Sequence, residues 1–136
     1  MCSALSAPTS DAGRAPHKTS ILCVDDSHKM LLICRTILEA SGYQVFTASN
    51  GKAGLEMLEE HSIDAVVVDN RMPGMTGTEL AQKIKQAYKN VPILMFSDSG
   101  AEPTSLDLID LFLNKKSGPR ALRDAVASLL ANRRAL

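Results

Sequence analysis

From residue 19 onward the chain alternates short apolar runs with stretches whose apolar residues recur every three or four positions. SILCVDD reads as a first strand that ends at Asp25 and Asp26. Ser27 offers an N-cap for a helix whose Met30, Ile33, Ile37 and Leu38 fall on one face. SGY breaks the pattern, and QVFTAS follows as a second strand. NGKAGLEMLEEH suits a helix capped by Asn50, with Leu55 and Leu58 facing inward. DAVVVD is a third strand, and its unbroken Ala65 to Val68 run suits burial on both faces, as in parallel sheets. After the loop NRMPGMTG a helix is predicted from about Thr78 to Tyr88, with Leu80, Ile84 and Ala87 aligned. VPILMFSD is a fourth strand, with Pro92 tolerable at its start, and LFLNKK is a fifth. Pro119 opens a last helix at a favourable first-turn position, striped by Leu122, Val126, Leu129 and Leu130.

Strictly alternating strands and helices predict an α/β fold, a doubly wound five-stranded parallel sheet with helices on both faces. In such sheets ligands bind beyond the carboxyl ends of the strands, near the topological switch point. The predicted strand ends carry Asp25–Asp26, Asp69, Ser97–Asp98 and Lys115. Taken singly, an aspartate ending a strand is most often a turn former, and a lysine or serine there is ordinary surface. Together they supply one reactive group per strand end, in chain order. That is a site.

Length and charge narrow the classes. The 136 residues fit one domain with a real core, and 45% hydrophobic with 22% charged residues is ordinary for a soluble globular protein. Fifteen basic and fifteen acidic side chains cancel, so no global field attracts nucleic acid or an anionic membrane. No apolar run approaches the ~18 residues of a transmembrane helix. Residues 1–18 lack the apolar core of a signal peptide and are expected to be a disordered tail, ahead of a domain at 19–133. Cys2, Cys23 and Cys34 form no metal-ligand pattern, and buried reduced thiols in a cytoplasmic protein are expected.

Hard oxygen ligands suit Mg²⁺, and a divalent cation resolves the repulsion among three clustered acids. Asp69, ending the central strand, is placed to be a carboxylate nucleophile toward a phosphoryl donor. Lys115 would pair with the transferring group and the Ser97 hydroxyl would donate to it.

These residues resemble the bacterial response-regulator receiver domains (CheY-like). The carriers are Asp25–Asp26, Asp69 within DNRMPGMTG, which fits the family's D-x-x-M-P-x-M-x-G loop, Ser97 and Lys115. The resemblance implies a flavodoxin-like sheet in the order 2-1-3-4-5. It implies that Asp69 accepts a phosphoryl group from a histidine kinase or phosphotransfer protein. Asp26, Asp69 and the backbone carbonyl of Arg71 would bind Mg²⁺, with Asp25 acting largely through bound water. Ser97 and Phe112 would rearrange on phosphorylation, changing the surface around the fourth helix and fifth strand for a downstream protein.

The chain departs from that pattern in several places. Asp98 stands where the family has a small residue, so Asp25, Asp26, Asp69 and Asp98 total −4, against +1 from Lys115 and +2 from one Mg²⁺. An inward Asp98 would penalise the phosphorylated state or recruit a second cation; an outward one would change nothing. Lys116 replaces the usual proline after the lysine, and since a cis bond without proline costs ~3–4 kcal/mol, a trans Lys115–Lys116 peptide is expected. Only fourteen residues, Asp98 to Leu111, separate Ser97 from Phe112, which predicts a shortened or distorted fourth helix. Arg71 is a second candidate modulator, able to shield or steer the phosphoryl group, and His28 reads as a helix-start surface residue.

With only NRRAL after the last helix, the expectation is a stand-alone receiver that signals by protein contact. It is expected to be no enzyme beyond accepting its own phosphoryl group and slowly losing it. A receiver-like interaction module that no longer switches is the alternative. A Mg²⁺-dependent phosphatase is disfavoured, because Arg71 stands where such enzymes need a second aspartate and no cap domain is present.

Overall fold

The most apolar segments form the centre of the sheet. Every residue of Ser20–Val24 (β1), Ala65–Val68 (β3) and Ile93–Ser97 (β4) is buried, a state strands reach where helices cover both faces. Gln44–Ala48 (β2) and Leu111–Asn114 (β5), whose burial is mixed, form the edges. The computed structural model describes residues 18–98 and 108–135. All strand pairs are parallel, in the order β2-β1-β3-β4-β5. The chain returns through His28–Ala40 (α1), Gly51–Glu60 (α2) and Gly77–Ala87 (α3), and ends in Pro119–Ala135 (α4). The doubly wound sheet and its strand order match the expectation.

Alternating side chains divide the core into two layers. Ile21, Cys23 and Leu94 meet Leu31, Cys34 and Leu38 of α1 and Leu122, Val126, Leu129 and Leu130 of α4. On the other face Leu22, Val24, Val66, Val68 and Met95 meet Leu58 of α2 and Leu80, Ala81 and Ile84 of α3. The Cys23 thiol is held protonated by its hydrogen bond to Cys34, by burial and by the charge of Asp25. The same bond lowers Cys34, and neither forms a disulfide.

Helix starts follow their caps. Ser27 Oγ accepts from Met30 N at 3.3 Å and Asn50 Oδ1 from Ala53 N at 2.8 Å. The inward face of α1 differs from expectation: Leu31 and Cys34 are buried, while Ile33 is 37% exposed. Residues 30–34 are apolar throughout, so their spacing fits more than one helical phase, and sheet packing selects among them. α3 starts at Gly77, one residue early, because Thr76 and Glu79 form a reciprocal capping box. Ala81, not the exposed Ala87, completes its buried stripe. Among the described residues no helix is long and apolar enough to cross a membrane. The expected tail at 1–18 and short fourth helix within 98–111 fall, apart from Lys18, Asp98 and residues 108–111, outside the described residues.

At the amino ends of β4 and β5, Asp110 ties three elements together. Its Oδ2 accepts from Ile93 N at 2.8 Å and from Lys85 Nζ at 2.9 Å, and its own N–H donates to Ile93 O at 2.9 Å. Lys85 also reaches Val91 O at 3.0 Å. Asp110→Ala strands a buried amide and is expected to lower unfolding free energy by ~1–3 kcal/mol in urea titrations. Lys85→Met removes a partly exposed ion pair and the hydrogen bond to Val91 O, and should cost ~1 kcal/mol or less. A larger loss for Lys85→Met than for Asp110→Ala would mean that the ion pair, not the amide, holds this corner.

Candidate functional site

The site follows from strand register. Val24 pairs with Val68 across β1 and β3, so the next residues, Asp25 and Asp69, stand side by side at the carboxyl edge. The ladder runs one rung further: Asp25 N donates to Ala48 O at 3.1 Å and Asp69 N to Val24 O at 2.9 Å. Both aspartates are buried, whereas Asp26 is exposed. The three carboxylates each present an oxygen, all lying within 4.8 Å of one another. Lys115, just past β5, places Nζ 2.8 Å from Asp25 Oδ2 and 3.4 Å from Asp69 Oδ1.

These charges perturb one another. Burial raises the Asp69 pKa, the charges of Asp25 and Asp26 push it the same way, and Lys115 opposes them. Burial alone would lower Lys115, but its hydrogen bond to Asp25 and the charges of Asp25 and Asp69 raise it on balance. Lys115 is therefore a fixed cation that offsets only part of the acidic charge. A cluster of hard oxygen donors left with excess negative charge fits a divalent cation of the Mg²⁺ type. The members are not equivalent. Asp25 Oδ1 accepts from Ser27 N at 2.9 Å while its Oδ2 holds Lys115, so both of its oxygens are engaged.

The loop after Asp69 is held by contacts that spacing alone did not reveal. Gly77 N donates to Asn70 O at 2.9 Å, and Thr78 Oγ1 to Asn70 Oδ1 at 3.1 Å. A Cβ at Gly77 would overlap the Asp69 carbonyl oxygen and lie 2.8 Å from Asn70 Cα. Only glycine lets the start of α3 press this closely on the loop. The available signal was a glycine closing the loop immediately before a helix.

The other predicted residues surround this centre. Ser97 is buried at the end of β4, paired with Asn114 of β5. Phe112 is half-buried and packs into the same layer as Met95, so alternation puts Ser97 on its face of the sheet. Arg71, His28 and Asp98 are exposed, and Asp98 lies outside the three-carboxylate cluster. Lys115–Ser117 forms one 3₁₀ turn, in which Asn114 Oδ1 accepts from Lys116 N at 2.8 Å. The N–H that a proline would lack thus has an acceptor.

Fold and site together define a doubly wound α/β protein with an acidic pocket at the carboxyl edge of its sheet. The chain belongs to the response regulator receiver domain family, whose model matches residues 21–127. It is similar to the response regulator SaeR of Staphylococcus epidermidis, 31% identical over 83% of this chain and 51% of that protein. Among solved structures it resembles the Vibrio cholerae chemotaxis protein CheY4, with TM-score 0.78 and 27% identity over 84% of this chain and 100% of that one. The response regulator TrrA of Thermotoga maritima, solved with Mg²⁺-BeF, gives TM-score 0.77 and 28% identity over 82% and 99%. The chain spans about half the length of curated relatives such as SaeR.

Removing Lys115 tests how the charges are balanced. Lys115→Met leaves two buried carboxylates facing each other and is expected to cost about 3 kcal/mol without divalent cations. Mg²⁺ should raise the melting temperature of both proteins, and of the variant more, because the metal takes over the role of the ammonium group. Equal Mg²⁺ gains would show that lysine and cation do not share the same carboxylates.

Proposed function

We propose that the protein is a phosphorylation-controlled receiver in which Asp69 accepts a phosphoryl group from a histidine kinase or phosphotransfer protein. The observation that carries this reading is the convergence of Asp25, Asp26 and Asp69 with Lys115 bridging two of them. An Asp69 carboxylate oxygen attacks phosphorus, the P–N bond to the donor imidazole breaks, and the imidazole leaves with the electron pair. Lys115 pairs with the phosphoryl oxygens and the Ser97 hydroxyl donates to them. Asp26, Asp69 and the Arg71 carbonyl would hold Mg²⁺ directly and Asp25 through water, and the bound ion supplies neutralisation of the transferring charge. The chain's own chemistry ends with one phosphoryl group per molecule and its slow hydrolysis, so it is no turnover enzyme. Output runs through protein contact in the cytoplasm, with Phe112 on β5 carrying the change from Ser97 toward the surface.

The non-switching alternative rested on an inward Asp98 and a shortened crossover. Asp98 lies outside the three-carboxylate cluster, which weakens the first support, and the second lies outside the described residues.

Intact mass and amide NMR, recorded with Mg²⁺ and acetyl phosphate or beryllofluoride, test the reading. The expected result is a labile one-phosphate adduct, lost in Asp69→Asn, and shifts that reach Phe112. An unmodified mass together with an unchanged spectrum would favour the interaction module, and sustained turnover of many phosphomonoesters the phosphatase.

A further inference from the structure

One hydrogen bond beside the site has no role in the scheme above. Lys116 N donates to Asn114 Oδ1 at 2.8 Å, which makes Asn114 the N-cap of the single 3₁₀ turn Lys115–Ser117. Lys115 is the first residue of that turn. A proline at 116 would offer no N–H, so the bond depends on the lysine this chain carries there.

The turn joins two fixed elements. Asn114 is the last rung of β5, paired with Ser97 of β4. Beyond Gly118, whose φ of 93° ends the turn, α4 is anchored by the buried Leu122 and Val126. Between them Lys116 and Ser117 are exposed, so the turn draws little support from packing. A 3₁₀ segment this short has few backbone bonds of its own, and its cap is a large share of what holds it.

Geometry gives the turn leverage. In the order β2-β1-β3-β4-β5, Asp69 follows a strand two places from β5, and Asp25 one three places away. At ~4.8 Å between strands these are about 10 and 14 Å across the sheet. The Lys115 side chain passes the end of β4 to bring Nζ to 2.8 Å from Asp25 and 3.4 Å from Asp69. The ammonium group stands at the far end of a flexible stem. A small rotation of the backbone at residue 115 therefore becomes a large displacement at Nζ.

We propose that Asn114 is a positioning residue: by accepting from Lys116 N it fixes the turn that aims Lys115 at Asp25 and Asp69. Its effect on phosphorylation rests on the phosphoacceptor reading of Asp69, whereas its effect on the lysine does not. Asn114 reaches the transferring group only through Lys115.

The test uses Asn114→Ala and Asn114→Val, which lack an acceptor, and Asn114→Ser, which keeps one. Position 114 is exposed and extended (φ −79°, ψ 136°), so all three fit the backbone. The first measurement is NMR of the lysine ammonium groups in the metal-free protein. Wild type should show a slowly exchanging Lys115 signal, assigned by its absence in Lys115→Met. Alanine and valine should broaden it away, and serine should retain it. The second is the rate of Asp69 phosphorylation by acetyl phosphate at saturating Mg²⁺. Alanine and valine should slow it about five-fold, the worth of one cap, and serine less than about two-fold. In a Lys115→Met background Asn114→Ala should bring no further loss. A Lys115 signal that survives both alanine and valine, a serine variant no better than alanine, or an equal loss with and without Lys115 would each overturn the inference. So would a wild type that lacks the signal. A wild type that shows the signal but forms no adduct overturns the phosphoacceptor reading instead, and the ammonium spectra still decide what Asn114 does.

Discussion

Parallel pairing of β1 with β3 brings two carboxylates, Asp25 and Asp69, to adjacent positions at the buried edge of a sheet, and this imposed repulsion organises the rest of the site. Neither side chain can turn away, because each backbone N–H is committed to the ladder one rung past the strand. Burial makes the repulsion worse at Asp69 by raising the free energy of its charged form. Lys115 is the one cation the described residues bring to both. It offsets part of the charge of three acids, and the remainder is what a divalent cation is suited to neutralise. Folding thus creates an electrostatic deficit that binding can relieve.

The opposite pole of the sheet is built on the reverse principle. There Asp110 satisfies a buried amide and an ammonium group at once, so the charges of Asp110 and Lys85 are partnered within the fold. β4 is fastened where it begins, and its far end delivers Ser97 and Asp98 to the site. Strain introduced at the carboxyl edge therefore meets a strand that is fixed at one end, which favours local rearrangement near Ser97 over displacement of the whole strand.

Much of this was legible because it depends on patterns that burial writes into sequence. The unbroken Ala65–Val68 run identified a strand covered on both faces, and strand ends collected the reactive groups in order. Ser27 and Asn50 were readable as caps because a cap is a local hydrogen bond. The phase of α1 was not, since five consecutive apolar residues leave the choice between Leu31 and Ile33 to the sheet. Gly77 was legible as part of a motif but not in its role, because its need for glycine arises from the Asp69 carbonyl, eight positions earlier in the chain, pressing against it. Whether Asp98 joins the carboxylate cluster was equally a tertiary matter, and it lies outside that cluster.

The same reasoning explains how the loop after β5 works without proline. A lysine at position 116 brings a backbone N–H that proline lacks, and Asn114 Oδ1 accepts from it at 2.8 Å, which closes a turn around Lys115. Asn114 is also the residue paired with Ser97 across β4 and β5. One residue therefore links the hydroxyl expected to follow the phosphoryl group with the turn that aims the lysine. In the proposed cycle, movement at Ser97 reaches Lys115 through a single rung of the sheet, and Phe112, two residues earlier on β5, lies on the face where that movement emerges.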